Sequence, residues 1–372
     1  MTTTSRLSSA RLDALFARIQ MEIDNGHCTA AQVAVGRQGK VVASRSFGTA
    51  TDESRFALFS ATKPVVAMAL LPHFADGTLL LTAPVAQYIP EFGHHGKADV
   101  TVLQLLTMQG GFPQAPIGPD RWGTSEGRRA QFAEWPLAWP AGTRTEYHPV
   151  SAHWVIGELL ETLNGRSYVD VVHDRVVRPA GLAPLLGMQA GTPLLVRAHG
   201  QYPADIADLV STYGRADLVP AVTIGPDALL AMNDPGAQAA AVPGGGAIAT
   251  ATDMATLYQS FLHNTAGALP DEWLADAIGT IRNGSINVSD GVPANRTIAG
   301  YLSGSDGYHL HRWMPAAPLA FGHAGAGGQL CWADPESGLS LCFLNDTLHQ
   351  DPRVEFRRAA DINDLVLGLL LQ

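Results

Sequence analysis

Apolar residues at helical spacing mark the two ends and the middle of the chain. Residues 8–23 carry apolar side chains three or four positions apart behind a serine, which predicts a capped amphipathic helix. Comparable patterns predict helices over residues 64–75, 101–107, 151–164, 167–177, 204–214 and 252–263. Asp351 followed by Pro352 predicts the start of a closing helix that runs to about residue 371.

Short apolar and alternating runs predict strands in two groups. Residues 31–35 and 40–46 flank the turn residues 37–39 and predict a β-hairpin, and residues 55–59 predict a short extended segment. The second group comprises residues 308–313, 319–323, 329–333 and 339–344. Strands therefore lie near both ends of the chain, and helices fill the middle.

This order of elements predicts an α/β (α+β) fold. The most economical packing is one antiparallel sheet, built from the N- and C-terminal strands and flanked by the two terminal helices. Residues 1–63 and 300–372 are predicted to form the sheet domain, and residues 64–299 a mostly helical inserted domain. We expect the active site at their interface, because small ligands usually bind in clefts between domains.

Composition excludes several classes of function. With 46% hydrophobic and 16% charged residues among 372, the chain can bury a large core. A net charge of −10 and the lack of a basic stripe argue against a nucleic-acid partner. No run of 18 apolar residues predicts a membrane span, and residues 1–10 lack the apolar segment of a signal peptide. We therefore expect a cytoplasmic protein with no membrane partner.

Neither cysteines nor histidines predict a metal site. The chain has three cysteines, Cys28, Cys331 and Cys342. An odd number without a secretion signal predicts free, buried thiols, and the last two are expected near each other on neighbouring strands. The pairs at residues 94–95 and at 309 and 311 lack cysteine or carboxylate partners at ligand spacing, so packed or solvated histidines are expected there.

One stretch carries candidate chemistry, Ser60-x-x-Lys63 followed by Pro64. Because proline fits only the first turn of a helix, the serine is expected at or just before a helix start. Residues three apart share a helix face, so the amine would lie beside the hydroxyl, and desolvation together with the helix dipole would lower the lysine pKa. A partly neutral lysine can take the serine proton. The alternative is a capping serine with a solvated lysine, which the apolar flanking residues disfavour.

Two later segments add candidate groups. Tyr147 precedes the predicted helix over residues 151–164, and a buried tyrosine near a lysine can have a lowered pKa and pass protons. His323 lies at a predicted strand end followed by glycines, among them Gly325, which allow close approach of a ligand or another backbone. An N–H group of that strand, together with the N–H of Ser60, could hold an oxyanion. Taken singly, these residues are also compatible with core packing and a turn.

Residues 122–154 contain two ambiguous features. Residues 123–127 match Gly-x-Ser-x-Gly, but that nucleophile motif needs a preceding strand, and residues 115–120 resemble a loop. We therefore regard the match as coincidental. Trp122 and Trp154 belong to an aromatic-rich irregular stretch, which is typical either of a lid or acyl-pocket wall or of ordinary packing in a proline-rich loop.

Taken in order, Ser60-x-x-Lys63, Tyr147 and His323-x-Gly325 resemble the motifs of the serine β-lactamase and penicillin-binding-protein superfamily. The similarity is greatest to its esterase branch, the family VIII carboxylesterases and class C β-lactamase-like proteins. It extends over residues 10–371 and includes the segments 76–92, 101–107, 111–113, 243–246 and 321–346. The fold that this resemblance implies agrees with the predicted sheet and helical insertion.

The resemblance also implies roles for individual residues. Ser60 would be the acylated nucleophile, and Lys63 and Tyr147 would share the work of the general base. The N–H groups of Ser60 and Ala326 would form the oxyanion hole. His323 would occupy the position where many β-lactamases carry a lysine for the substrate carboxylate. The predicted substrate-binding residues are His323, Gly325, His148, Trp122 and Trp154.

Three positions depart from the family pattern. Tyr147-His148-Pro149 replaces Tyr-x-Asn, so the amide that often contacts a substrate amide is absent. His323 replaces a permanent charge with a pH-dependent one. Met108 lies where relatives often have histidine, and the sequence offers no interpretation of that change. The first two departures favour neutral esters over β-lactams.

These inferences predict a serine carboxylesterase that forms an acyl-enzyme on a small-molecule ester without a metal or cofactor. An amide-directed relative, such as a β-lactamase, D-aminopeptidase or acyltransferase, would use the same chemistry and is the alternative. A non-catalytic binding protein on the same scaffold is a third possibility.

Overall fold

The computed structural model describes residues 7–188, 199–200, 226–349 and 351–370. In chain order, its strands are β1 (Ala30–Arg37), β2 (Lys40–Gly48), β3 (Phe56–Ala57), β4 (His199–Gly200), β5 (Ile248–Ala249), β6 (Ile286–Asn287), β7 (Val292–Pro293), β8 (Tyr301–Leu302), β9 (Phe321–Gly325), β10 (Gln329–Ala333), β11 (Leu339–Asn345) and β12 (Thr347–Leu348).

Several helices begin at polar capping residues. They are α1 (Ser9–Asp24), α2 (Thr62–Met68), α3 (Leu71–Ala75), α4 (Val102–Leu106), α5 (Ser125–Glu134), α6 (Ser151–Asn164), α7 (Tyr168–Val172), α8 (Pro226–Leu230), α9 (Pro235–Ala239), α10 (Ala251–His263), α11 (Asp271–Gly279) and α12 (Pro352–Leu367). Ser8, Thr250 and Asp351 accept backbone N–H groups at the first turns of α1, α10 and α12.

A six-stranded antiparallel sheet has the order β2-β1-β11-β10-β9-β8. Along β1 and β11, pairing runs from Ala31 opposite Asn345 to Arg37 opposite Leu339. The N-terminal hairpin is therefore hydrogen-bonded directly to a C-terminal strand, as predicted. The mixed α/β architecture with a main antiparallel sheet is confirmed, and within the described residues three two-stranded pairings lie outside that sheet.

Helices cover both faces of the sheet, because successive side chains along a strand point to opposite faces. Val33 and Val35 on β1 pack with Leu15 of α1 and Ile362 of α12. Ala34, which lies between the two valines, belongs to the core on the opposite face, together with Leu257 of α10. The two terminal helices thus pack against the sheet, as predicted, and both lie on the same face.

Three predicted elements differ from the structure. The helix predicted over residues 64–75 is interrupted between α2 and α3, where Pro72 lacks the N–H group that would continue the ladder. The helix predicted over residues 167–177 is α7 followed by the π-helical turn His173–Val177. The strand predicted over residues 308–313 is wrong.

Residues 309–312 form the 3₁₀-helix His309–Arg312 rather than a strand. Arg312 forms a salt bridge of 2.9 Å with Asp306, which draws this segment into a local turn. Tyr308 and Leu310 remain exposed, so the apolar run does not enter the sheet. Tyr301–Leu302 forms the edge strand in its place. The helix predicted over residues 204–214 lies outside the described residues.

The helix α2 lies in the centre of the molecule. All seven of its residues are buried, and it packs against α6, α7 and β9. The preceding 3₁₀ turn, Phe59–Ala61, contacts β9 and β10. Ser60 is therefore placed where the sheet meets the helices. Within the described ranges, no helix is both long and apolar enough to cross a bilayer.

Candidate active site

Ser60 lies in the 3₁₀ turn Phe59–Ala61, immediately before α2, and is partly exposed. Pro64 is the third residue of α2, so the position of the serine agrees with the prediction from proline. Phe59 has a φ of +46°, a left-handed conformation that is unfavourable for a residue other than glycine. The backbone is therefore sharply turned at the residue before the hydroxyl.

Lys63 places its amine beside that hydroxyl. Its Nζ lies 3.0 Å from Ser60 Oγ and donates to the carbonyl oxygens of Pro149 and Gly244, each at 2.7 Å. Lys63 is 1% exposed, and burial together with the positive charge of Arg296 holds its pKa well below the usual range. A neutral amine has two hydrogens, which the two carbonyls can accept. Its lone pair is then left to face Ser60.

Gly244 allows the loop that holds the lysine to pass close to α6. A Cβ atom at residue 244 would lie 3.2 Å from the Pro149 oxygen and 3.3 Å from Cβ of His153. Only glycine leaves the loop room to bring its carbonyl to Lys63 without displacing these neighbours. The segment 243–246, which the sequence analysis related to a family turn, thus supplies one partner of the lysine.

Tyr147 reaches Ser60 from the other side. Its hydroxyl donates to Ser60 Oγ at 2.7 Å. The two neighbouring residues are held by Met108, whose carbonyl accepts the Glu146 N–H at 3.2 Å and whose sulfur accepts the His148 N–H at 3.4 Å. Met108 adopts a φ of +64°. The sequence offered no interpretation of methionine at this position. In the structure, Met108 helps to hold the segment that carries Tyr147.

The pKa of Tyr147 is raised, so the lowered value expected for it is wrong. Burial is the main cause, the Tyr301 phenol acts in the same direction, and Arg296 and the hydrogen bond to Ser60 oppose them. The phenol therefore stays protonated and acts as a hydrogen-bond donor toward the serine oxygen. Of the two candidate bases, Lys63 has the pKa better suited to accept a proton.

His323 is neutral at this site. Its Nδ1 lies 2.6 Å from the Ala324 carbonyl oxygen, and its Nε2 lies 3.3 Å from Nη1 of Arg296. The ring therefore donates from Nδ1 and accepts at Nε2. Burial, Arg296 and Lys63 hold its pKa well below the usual range. The pH-dependent charge expected at His323 is absent near neutral pH.

Arg296 supplies a permanent charge that the sequence analysis missed. It is 3% exposed, and its guanidinium carbon lies 3.6 Å from the ring centre of Tyr301 and 5.1 Å from that of Tyr147. It also donates to the Tyr301 hydroxyl at 2.5 Å. Arg296 belongs to no motif or periodic segment. An isolated antiparallel bridge to Tyr301 brings it beside the sheet edge.

The end of β9 lies against the turn that carries Ser60. A Cβ atom at Gly325 would lie 2.1 Å from the Leu58 carbonyl oxygen, so the strand approaches the nucleophile turn more closely than any other residue would allow. Within the described part of the chain, the N–H groups of Ser60 and Ala326 donate to no acceptor.

A narrow crevice, too tight to hold a water molecule, lies beside the tyrosine. Its lining includes Tyr147, Met108, Thr145, Asn287, Asp290 and Arg296. Most of these side chains are polar, so the surface next to Tyr147 is polar.

His148 and Trp154 do not face a ligand, which corrects two predictions. His148 is completely buried, donates from Nδ1 to the Glu146 carbonyl at 2.7 Å and accepts the Phe112 N–H at 3.2 Å. Trp154 is also completely buried, and its ring stacks 6.0 Å from that of Trp122. Trp122 is partly exposed, and its contact with a substrate stays a prediction.

The beta-lactamase family model matches residues 15–364. The chain belongs to the beta-lactamase family. It is 30% identical to esterase EstB of Burkholderia gladioli over 47% of this chain and 50% of that protein, so it spans half of EstB's length. It is 28% identical to esterase/beta-lactamase LipL of Mycobacterium tuberculosis over 78% of this chain and 69% of LipL.

The same fold occurs in the crystal structure of a family VIII carboxylesterase. The TM-score is 0.74 at 21% identity, and the superposition covers 95% of this chain and 98% of that one. At this identity the likeness establishes the fold of this beta-lactamase-family chain. EstB is named as an esterase and LipL as an esterase/beta-lactamase.

In this family member, Ser125 has a structural role. It is the first residue of α5, follows the 3₁₀ turn Pro119–Arg121 rather than a strand, and donates to the Glu158 carboxylate. The Gly-x-Ser-x-Gly match is therefore coincidental, as predicted. The three cysteines are free and buried, and Cys331 lies opposite Cys342 on adjacent strands. No group of three His, Cys, Asp or Glu residues in the described segments could hold a metal ion.

Proposed function

We propose that this protein is a carboxylesterase that cleaves small carboxylic esters through an acyl-enzyme on Ser60. The observation that carries the proposal is the pair of contacts on Ser60 Oγ, 2.7 Å from the Tyr147 hydroxyl and 3.0 Å from the Lys63 amine. One partner is held neutral and the other protonated, as a base and an acid require. The names of EstB and LipL agree with ester hydrolysis.

Acylation begins when Ser60 Oγ attacks the ester carbonyl carbon and its proton passes to Nζ of Lys63. The carbonyl oxygen becomes an oxyanion that accepts the N–H groups of Ser60 and Ala326. Such a donor contributes about 3–4 kcal/mol to an acyl-transfer transition state. Lys63 becomes an ammonium only in this step, and the Pro149 and Gly244 carbonyls then share its charge.

The tetrahedral intermediate collapses as the bond to the alcohol oxygen breaks. The leaving alkoxide takes the proton of the Tyr147 hydroxyl, and the ammonium of Lys63 restores it. Water then attacks the carbonyl carbon of the acyl-enzyme and gives a proton to the Lys63–Tyr147 pair. The bond to Ser60 Oγ breaks, the pair returns the proton to that oxygen, and the carboxylic acid leaves. General acid–base catalysis of this kind typically contributes about 10²–10⁴-fold to the rate.

Arg296 favours a second candidate function, hydrolysis of amides such as β-lactams. The absence of a permanent cation was one of the two reasons for preferring neutral esters, and Arg296 provides that cation beside Tyr147. The name of LipL includes both activities. Ester hydrolysis remains the first choice, because Pro149 still lacks the side-chain amide of the family motif and EstB is named as an esterase.

The test compares Ser60→Ala with Ser125→Ala on p-nitrophenyl butyrate and nitrocefin. We expect Ser60→Ala to lose ester turnover and Ser125→Ala to retain it. Intact-mass measurement with a fluorophosphonate should show one adduct, located on Ser60 after digestion. Loss of turnover in Ser125→Ala alone would refute the assignment of the nucleophile. A higher kcat/KM for nitrocefin would favour the amide alternative, and no labelling of Ser60 would favour a non-catalytic binding protein.

A further inference from the structure

The turn that carries the N–H group of Ala326 is clamped by its surroundings. Gly327 and Gly328 both have a φ of +78°, which favours glycine. A Cβ atom at Gly327 would lie 2.9 Å from the Thr347 oxygen, and one at Gly328 would lie 2.3 Å from Nη2 of Arg358. The turn therefore has little freedom to adjust, and its position depends on what packs behind it.

A buried arginine is the main group behind the turn. Nη2 of Arg358, on the C-terminal helix α12, donates to the Gly327 carbonyl oxygen at 2.7 Å. Nδ2 of Asn345 donates to the same oxygen at 2.9 Å. The peptide between Gly327 and Gly328 is thus held from two sides by side chains remote from Ser60 in sequence.

The contact continues through the turn to the oxyanion donor. The Gly328 N–H donates to the Gly325 carbonyl oxygen at 3.1 Å. The Gly327 carbonyl and the Gly328 N–H belong to one peptide group, and the Gly325 carbonyl and the Ala326 N–H belong to another. A single chain therefore leads from the Arg358 guanidinium through two peptide groups to the N–H of Ala326. Hydrogen bonds in such a chain polarise one another.

Stability alone does not account for the placement of Arg358. It is completely buried, and its ion pair with Glu22 of α1 is long, at 3.4 Å. Its Nε has no hydrogen-bond partner among the described residues. Burying a cation with incomplete pairing is unfavourable. Its shortest contact is the one to Gly327.

We propose that Arg358 is a positioning residue of the oxyanion hole, which it fixes and polarises through the Gly327 and Gly325 peptides. The inference rests on the proposed function, in which the Ala326 N–H holds the oxyanion. The effect of Arg358 should be confined to states in which the substrate carbonyl oxygen carries negative charge. Substrate binding in the ground state should change little.

The test is Arg358→Met, measured with p-nitrophenyl butyrate and with benzeneboronic acid, which forms a tetrahedral anionic adduct on a serine. We expect kcat to fall by roughly tenfold, part of the 10²–10³-fold attributed to a whole oxyanion donor. The inhibition constant of the boronic acid should rise in parallel, and KM should stay within about threefold, because ground-state binding does not use the charge. Arg358→Lys, which keeps the charge, should recover part of the loss.

Arg18→Met is the matched control. Arg18 binds Glu22 at 2.6 Å without contacting the turn, so this variant disturbs the same ion network and should keep wild-type kcat. The double variant E22Q/R358M removes both charges and leaves no buried ion unpaired, in case Arg358→Met does not fold. A folded Arg358 variant with wild-type kcat and boronic-acid affinity would overturn the proposal, as would an equal loss in Arg18→Met. Failure of the wild-type protein to acylate Ser60 would refute the proposed function instead.

Discussion

Nη1 of Arg296 lies 3.3 Å from Nε2 of His323, and the same guanidinium lies over the ring of Tyr147. A permanent cation thus stands beside the proposed acid and beside a histidine whose pKa is held well below the usual range by burial and by that cation. It also lowers the pKa of Lys63. One arginine therefore acts on the protonation state of three groups at the site.

Replacing Arg296 with methionine should move the pH dependence of catalysis. Because a nearby positive charge disfavours the ammonium form, removing it raises the pKa of Lys63. The proposed mechanism needs neutral Lys63, so the acid limb of kcat/KM should shift to higher pH. The measurement is the profile of kcat/KM for p-nitrophenyl butyrate from acidic to alkaline pH.

Arg296→Lys is the control for this shift, because it keeps the charge while changing the hydrogen bonds to His323 and Tyr301. Its acid limb should stay close to that of the wild-type protein. If the limb of Arg296→Met coincides with the wild-type limb, Arg296 does not control the protonation of Lys63.

His148 should make folding sensitive to acid. Burial lowers its pKa to about 4 from the usual 6.5, so the unfolded chain binds the proton more tightly than the folded protein. The contribution of neutral His148 to the free energy of unfolding is therefore fully present above pH 6.5 and is lost progressively as the pH falls toward 4. The contribution amounts to about 2 kcal/mol between pH 7.5 and pH 5.

Urea unfolding at the two pH values measures this contribution. His148→Asn can still donate to the Glu146 carbonyl but leaves the Phe112 N–H without its acceptor, which should cost about 1–3 kcal/mol. The difference in unfolding free energy between the two pH values should shrink by about 2 kcal/mol in that variant. An unchanged difference would mean that His148 is not the titrating group.

Local patterns predicted those parts of the fold that local physics determines. The hairpin β1–β2 and the strands β10 and β11 follow from short alternating runs and tight turns, and their register confirms the expectation. The segment 308–313 has a comparable apolar pattern, but the Arg312–Asp306 salt bridge draws it into a turn. A sequence pattern does not show which carboxylate Arg312 will pair with, so it cannot tell whether the salt bridge or the strand is favoured.

The site was predictable only as far as its motifs reach. Ser60, Lys63 and Tyr147 were singled out by residue type and position, and the structure brings them together. Arg296 was not, because it reaches the site through a tertiary bridge in a segment without periodicity. The sign of the Tyr147 pKa shift depends on burial, which a sequence pattern does not measure.

Glu158 should matter strongly for stability. Its carboxylate is completely buried and lies 2.6 Å from Nε of Arg129 and 2.9 Å from Nη2 of Arg128. Glu158→Gln would leave Arg128 paired with Glu161 and Arg129 with Glu91, and the loss of the charge-assisted hydrogen bonds to Glu158 should cost about 1.5–3 kcal/mol. Denaturant unfolding measures the loss, with Glu134→Gln as the control.

Glu134 pairs with Arg121 at 3.0 Å, but the two side chains are 57% and 33% exposed. Because water screens such a pair, Glu134→Gln should change the unfolding free energy by less than about 1 kcal/mol. Equal losses in the two variants would contradict the view that burial of Glu158 makes its contacts important.

Gly325→Ala should damage catalysis, because the end of β9 has no room for a methyl group. The new Cβ would lie 2.1 Å from the Leu58 carbonyl oxygen, which belongs to the backbone and cannot swing aside. The strand or the nucleophile turn must move, and the Ala326 N–H moves with it relative to Ser60. A displacement near 1 Å can lower the rate about 10²-fold.

Gly279→Ala is the matched substitution, since a Cβ there meets nothing within 4 Å and the residue ends α11. That variant should keep wild-type kcat/KM and unfold at the same or a slightly higher temperature. Wild-type kcat/KM in a folded Gly325→Ala would show that close contact between β9 and Leu58 is not required for the reaction.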